Sequence, residues 1–274
     1  MRPPVLAAAL PLLASSALAQ GVIHTFPGGV PQEHRPTVAA GDVDGDGFGD
    51  LVVLTITGLE VVDVRSGRTG ALLHSFSGSR SAGTGPAIAG GIDLDGDGRD
   101  DLVIGDPERA SFWPHPSAGG TARAVSGATG LTLWTIAGAP DDALGTSLSA
   151  GPDVDQDGFP DVAVGADQAT LTGARPGFVR VVSGATAQTL ATRVGPTAGA
   201  RYGAEVALLA DADGDGAADL AVAARHPVPA QTWTGGVEVV SLAPGAVLWS
   251  VTGANPLDGL GTGLLSLGDL DGDG

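Results

Sequence analysis

Short apolar runs rich in β-branched residues recur along the chain: LVVL at 51–54, LVIG at 102–105, VAVG at 162–165 and LAVA at 220–223. After each comes a segment that alternates apolar and polar residues and closes on a turn: LEVVDVRSGRTG (59–70), TARAVSGATG (121–130), GFVRVVSGAT (177–186) and GGVEVVSLAPG (235–245). A further strand-like stretch follows, ALLHSFSG, LTLWTIAG, QTLATRVG or AVLWSVTG, and another short apolar stretch precedes each run, as in TSLSA (146–150) and AEVALL (204–209). Alternation of period two bounded by glycine-bearing turns predicts strands. Four short antiparallel strands returning as a unit of roughly 40 to 60 residues predict an all-β fold, a β-propeller of four-stranded blades, since each sheet buries its faces against its neighbours. A pair of β-sandwiches also suits short strands, but it offers no reason for one loop to return after every fourth strand.

That loop is acidic. GDVDGDGFGD opens it at 41–50, and it returns as GIDLDGDGRDDLVI (91–104), GPDVDQDGFPDVAV (151–164), ADADGDGAADLAV (210–222) and GDLDGDG (268–274). The first aspartates fall at 42, 93, 153, 211 and 269, so the spacings are 51, 60, 58 and 58 residues. Counting from the first aspartate, carboxylates stand at positions 1, 3, 5 and 9: Asp42, Asp44, Asp46 and Asp50; Asp93, Asp95, Asp97 and Asp101; Asp153, Asp155, Asp157 and Asp161; Asp211, Asp213, Asp215 and Asp219; and, in the last loop, Asp269, Asp271 and Asp273. Position 7 would add a backbone carbonyl from Phe48, Arg99, Phe159 or Ala217. Like charges this dense repel one another unless a cation lies between them, and Ca²⁺, which takes six to eight oxygens, suits the spacing at about one ion per loop. Glycine at position 6 permits the sharp turn.

Competing readings fit less well. An EF-hand needs a glutamate at position 12, where Val53, Ile104, Val164 and Val222 stand in apolar strands. The calcium-binding nonapeptide repeats of β-helices have a far shorter period. Mg²⁺ tolerates a crowd of carboxylates poorly, and no ligand set suits zinc. Aspartates as mere turn formers would explain one loop, but not five in register.

Charge points the same way. The formal net charge is −18, which argues against nucleic acid or an anionic membrane surface as partner. Nineteen of the 31 acidic residues stand at these four loop positions, and five divalent ions would bring the net charge to about −8. The leading segment MRPPVLAAALPLLASSALAQ has one arginine, an apolar run and small residues ending at Ala19, which predicts a signal peptide over 1–19 and a secreted, extracellular or cell-surface propeller over 20–274. The apolar run is too short to span a bilayer. With no cysteine, disulfides cannot hold such a chain, so core burial and bound metal must do so.

On these loops the chain resembles the FG-GAP repeat family, the calcium-binding blades of the integrin α propeller and of secreted bacterial proteins. The Phe-Gly element takes the forms Leu144-Gly145, Tyr202-Gly203 and Leu260-Gly261; Gly-Ala-Pro takes the forms Gly105-Asp106-Pro107 and Gly165-Ala166-Asp167, and is lost in Ala223-Ala224-Arg225. The resemblance implies seven blades, so four repeats and the opening of a fifth predict a propeller incomplete at its C-terminus, its remaining blades lying in missing sequence. GVIHTFPGG (21–29) resembles the fourth strand of the first repeat and would close the ring.

The resemblance also implies recognition or adhesion, with an extracellular protein or glycan meeting the face opposite the acidic loops. There lie DPERASFWPHPSAGG (106–120) and ARHPVPAQTWTGG (224–236), with Trp113 and Trp233 as candidate ligand-binding residues and Arg109, His115 and His226 beside them. Trp134 and Trp249 occupy equivalent fourth-strand positions and read as structural. A secreted lectin, or the non-catalytic propeller of a larger extracellular enzyme, is the alternative. Scattered histidines, no Gly-x-Ser-x-Gly elbow and aspartates too regular for an acid–base pair predict no catalysis.

Overall fold

The computed structural model describes residues 38–56, 60–77, 86–107, 119–168, 175–225, 234–243, 245–255 and 257–266. The leading segment 1–19 and the strand-like stretch 21–29 lie outside them. The described residues form sixteen strands in four antiparallel sheets of four, each in simple meander order. The first sheet holds β1 (Val38–Gly41), β2 (Asp50–Ile56), β3 (Glu60–Arg65) and β4 (Leu72–Ser77). The second holds β5 (Ala87–Ile92), β6 (Asp101–Asp106), β7 (Thr121–Val125) and β8 (Thr132–Ala137). The third holds β9 (Leu144–Ala150), β10 (Val162–Ala166), β11 (Phe178–Val182) and β12 (Thr189–Val194), and the fourth β13 (Tyr202–Leu209), β14 (Asp219–Ala224), β15 (Gly236–Ser241) and β16 (Val247–Thr252). No helix occurs among the described residues. The fold is the expected all-β array of blade-like sheets.

The second strands β6, β10 and β14 are buried on both faces, which is why LVIG, VAVG and LAVA read as continuous apolar runs and not as alternating ones. Their β-branched and small residues interdigitate between sheets. Val52, Val62 and Val64 of the first sheet pack on Leu102, Ile104 and Val125 of the second. Ala122 and Ala124 of the second meet Val162 and Val164 of the third, whose other face, with Ala163, Val179 and Val181, meets Leu208, Leu220 and Val222 of the fourth. The innermost strands β1, β5, β9 and β13 follow one another along the array.

Fourth strands alternate exposed and half-buried residues, as befits outer edges. At one position the first and second sheets carry a side chain directed at the next sheet. His74, paired with Val64, has its Nε2 2.6 Å from the carbonyl of Gly127, and Trp134, paired with Ala124, donates its indole N–H to the carbonyl of Gly184 at 2.6 Å. The equivalent residue of the third sheet is Ala191, and a cavity of about 100 Å³ opens beside it, lined by Leu220, Val240, Leu242 and Gly245 of the fourth sheet. Trp249 is the equivalent of the fourth sheet and remains 54% exposed. The two tryptophans expected to share a structural role therefore sit in different surroundings. Only Trp134 has a described sheet beyond it to receive its N–H.

A half-buried carboxylate outside the acidic loops is out of its normal range. Burial, opposed by Arg225 and reinforced by Asp167, pushes Glu205 on β13 up to about 7. A raised carboxyl stabilises the fold fully below the ordinary pKa of a free glutamate, and that contribution is lost as pH rises through 7. Glu205→Gln is therefore expected to raise the melting temperature at pH 8 and leave it unchanged near pH 4. Trp134→Phe is expected to cost about 1 kcal/mol or more through the lost hydrogen bond, read from denaturant unfolding.

Candidate metal centres

Each acidic loop joins the first strand of a sheet to the second, and its geometry comes from its own carboxylates turned onto its own backbone. The carboxylate at position 1 gathers amides from across the turn: Asp42 accepts from Asp46 at 3.0 Å and Gly47 at 2.8 Å, Asp153 from Asp157 at 3.1 Å and Gly158 at 2.8 Å. Asp211 does the same and adds the amide of the position-4 glycine, whereas Asp93 accepts from Gly96 at position 4 and Gly98 at position 6. The amide of Gly216 foremost, with those of its neighbours, holds the carboxyl of Asp211 below the usual range. Glycine at position 6 takes a φ of 83 to 95°, a left-handed turn that a side chain would strain.

Position 9 starts the second strand, or in the third sheet immediately precedes it, and is buried in all four described loops. Its Oδ2 accepts the amide of position 2: Val43 to Asp50 at 2.9 Å, Leu94 to Asp101 at 2.8 Å, Val154 to Asp161 at 2.6 Å and Ala212 to Asp219 at 2.7 Å. Its Oδ1 reaches the turn between the third and fourth strands and accepts the amide of Gly67 at 2.9 Å, Gly127 at 2.8 Å or Gly184 at 2.9 Å. A Cβ on any of these glycines would overlap the carbonyl oxygen of Gly49, Asp100 or Pro160. The fourth sheet has Leu242 where the others have glycine; its amide turns to Ala218 O, and Oδ1 of Asp219 is buried with no hydrogen-bond partner. Burial pushes the carboxyls of Asp161 and Asp219 up and that of Asp101 to about 6. At Asp44 burial leads again, followed by the charges of Asp50 and Asp46.

Three carboxylates converge in every described loop: Asp42, Asp44 and Asp50; Asp93, Asp95 and Asp101; Asp153, Asp155 and Asp161; Asp211, Asp213 and Asp219. In each set one oxygen per residue lies within 4.8 Å of the others. Position 5 stands apart. Its Oδ1 accepts the amide of position 7 at 2.9 to 3.0 Å, from Phe48 to Asp46, Arg99 to Asp97, Phe159 to Asp157 and Ala217 to Asp215. Its other oxygen leans toward the neighbouring turn, with Asp46 3.9 Å from Arg68, Asp157 accepting from Ser183 at 3.3 Å and Asp215 from Ser241 at 3.0 Å. The remaining candidates, Asp269, Asp271, Asp273, Trp113 and Trp233, lie outside the described residues, as do Arg109, His115 and His226.

The donor set fits a hard divalent cation. It is all oxygen, it repels itself without a counter-charge, and in the fourth loop one of its residues, Asp219, carries a buried carboxylate oxygen that no protein group satisfies. The glycine of the Ser-Gly turn is the residue that reading the acidic stretch alone misses. Its signal was the dipeptide recurring in phase at Ser66-Gly67, Ser126-Gly127 and Ser183-Gly184.

The FG-GAP repeat model matches residues 84–120 and 144–182. Integrin alpha pat-2 of Caenorhabditis briggsae is 29% identical over 243 residues, covering 79% of this chain and 19% of the relative, so the chain spans about a fifth of that relative's length. Among solved structures, rhamnogalacturonan lyase YesW superposes with a TM-score of 0.44 at 15% identity, covering 78% of this chain and 51% of the lyase chain. Gly127→Ala and Gly184→Ala are each expected to destabilise the protein by about 3 kcal/mol or more, because the added methyl displaces a carbonyl oxygen and removes a donor from a buried carboxylate. Chemical denaturation measures this.

Proposed function

We propose that this FG-GAP repeat protein is an extracellular recognition or adhesion module whose blades are tied together by structural Ca²⁺, one ion per acidic loop. The observation that carries the reading is the convergence of three carboxylates to within 4.8 Å in each of four loops. An ion there would draw together the start of the loop, the carboxylate at position 3, half-buried at Asp44 and exposed in the other three loops, and the buried one at the head of the second strand. It would thereby fix the first strand to the second and, through Asp50, Asp101 and Asp161, to the turn between the third and fourth. The similarity to an integrin α chain supports an extracellular setting and a protein partner. Such a partner would be met by the face opposite the acidic loops, where the candidates Trp113 and Trp233 lie in sequence.

In this reading the metal is held and not consumed, and the protein is a binding module with no chemistry of its own. Each ion at a hundred times its dissociation constant adds about 2.7 kcal/mol to stability. Chelation is expected to lower the melting temperature by several degrees or more, and calcium in excess to restore it; equal melting in both would overturn the proposal. Asp44→Asn is expected to lower the bound calcium, counted by elemental analysis after gel filtration, by about one ion per chain.

A further inference from the structure

The first and second acidic loops touch in a way the others do not. Position 8 of the second loop is Asp100, where the other loops have Gly49, Pro160 and Ala218. Its carboxylate accepts the backbone amide of Asp42 at 2.6 Å, and its own amide donates to the carbonyl of Asp42 at 3.1 Å. Both backbone polar groups of the first candidate ligand in one loop are thus held by a single residue of the next. Gly41 makes the room, since a Cβ there would overlap the Asp100 carboxylate; the residues in its place before the other loops are Ile92, Pro152 and Ala210.

A second contact runs the same way. A Cβ at Gly45, position 4 of the first loop, would come within 3.2 Å of Nε of Arg99, position 7 of the second. The next pair repeats the packing with Phe159 against Gly96, and the third pair inverts the sizes, with Gln156 at position 4 and Ala217 at position 7. Among the described loops only the first pair adds hydrogen bonds, and Asp100 sits between two candidate ligands of the second centre, the position-7 residue Arg99 and the position-9 carboxylate Asp101.

Resting on the calcium reading above, we infer that Asp100 is a positioning residue for the metal centre of the neighbouring loop, so that the first and second centres fill cooperatively. An ion in the second loop fixes residues 99–101; Asp100 then fixes the backbone of Asp42, and the first loop loses less freedom on binding its own ion. A charge-assisted hydrogen bond of this length is strong enough to carry such coupling.

The test uses the full chain with Phe48→Trp, which places an indole at position 7 of the first loop, and reads Tb³⁺ luminescence gained over the same chain carrying Phe48. Asp100→Ala is expected to raise the half-saturating Tb³⁺ of the first loop about fivefold or more. Asp100→Asn, which loses the charge but keeps an acceptor, is expected to stay within about twofold of the parent. Asp95→Asn, which weakens the second loop, is expected to shift the first loop in the parent and to have no further effect in the Asp100→Ala chain. A first-loop midpoint unmoved by Asp100→Ala, an Asn variant as weak as the Ala variant, or an Asp95→Asn shift that persists without Asp100 would each overturn the coupling. Absence of any sensitised luminescence in the parent would instead overturn the metal reading itself.

Discussion

The whole arrangement depends on a buried carboxylate at the head of each second strand. Asp101 receives one amide from its own loop, Asp50 and Asp161 receive two, and each receives one more from the distant turn between the third and fourth strands. Burying such a group costs several kcal/mol unless its oxygens are satisfied, so in these three sheets the loop and the turn stabilise one another. Strands of five to seven residues would otherwise be marginal as a sheet. The acid that looks like a surface feature in the sequence is thus also a staple inside the blade.

From that staple follow the other features. The turn that supplies the amide must approach the loop closely, which excludes a side chain at Gly67, Gly127 and Gly184. The same turn then lies where the fourth strand of the preceding sheet can reach it, through His74 or Trp134. The third interface departs on both sides at once. Ala191 replaces the reaching side chain and Leu242 replaces the glycine, and the consequences are a cavity between them and an unsatisfied oxygen on Asp219.

Strand count, strand order and the placement of the acidic loops were legible in the sequence, because apolar runs and alternation reflect burial directly and the repeat multiplies a weak signal. The partition of roles within a loop was not. Four evenly spaced aspartates look alike on paper, yet positions 1, 3 and 9 converge while Asp46, Asp157 and Asp215 lean toward Arg68, Ser183 and Ser241, residues more than twenty positions away. Asp100 hid for the same reason. Beside Asp101 it reads as one more acid in a run, and its bond to Asp42 spans 58 residues.

The glycine of the Ser-Gly turn has a further consequence for how such a chain can change over generations. Gly127 gives its amide to Asp101 in its own sheet and its carbonyl to His74 in the sheet before; Gly184 does likewise for Asp161 and Trp134. One glycine is therefore answerable to two sheets, and the segment that can be duplicated or lost without injury is not a blade. It is a stretch offset from the blade, cut so that each reaching side chain travels with the turn that receives it.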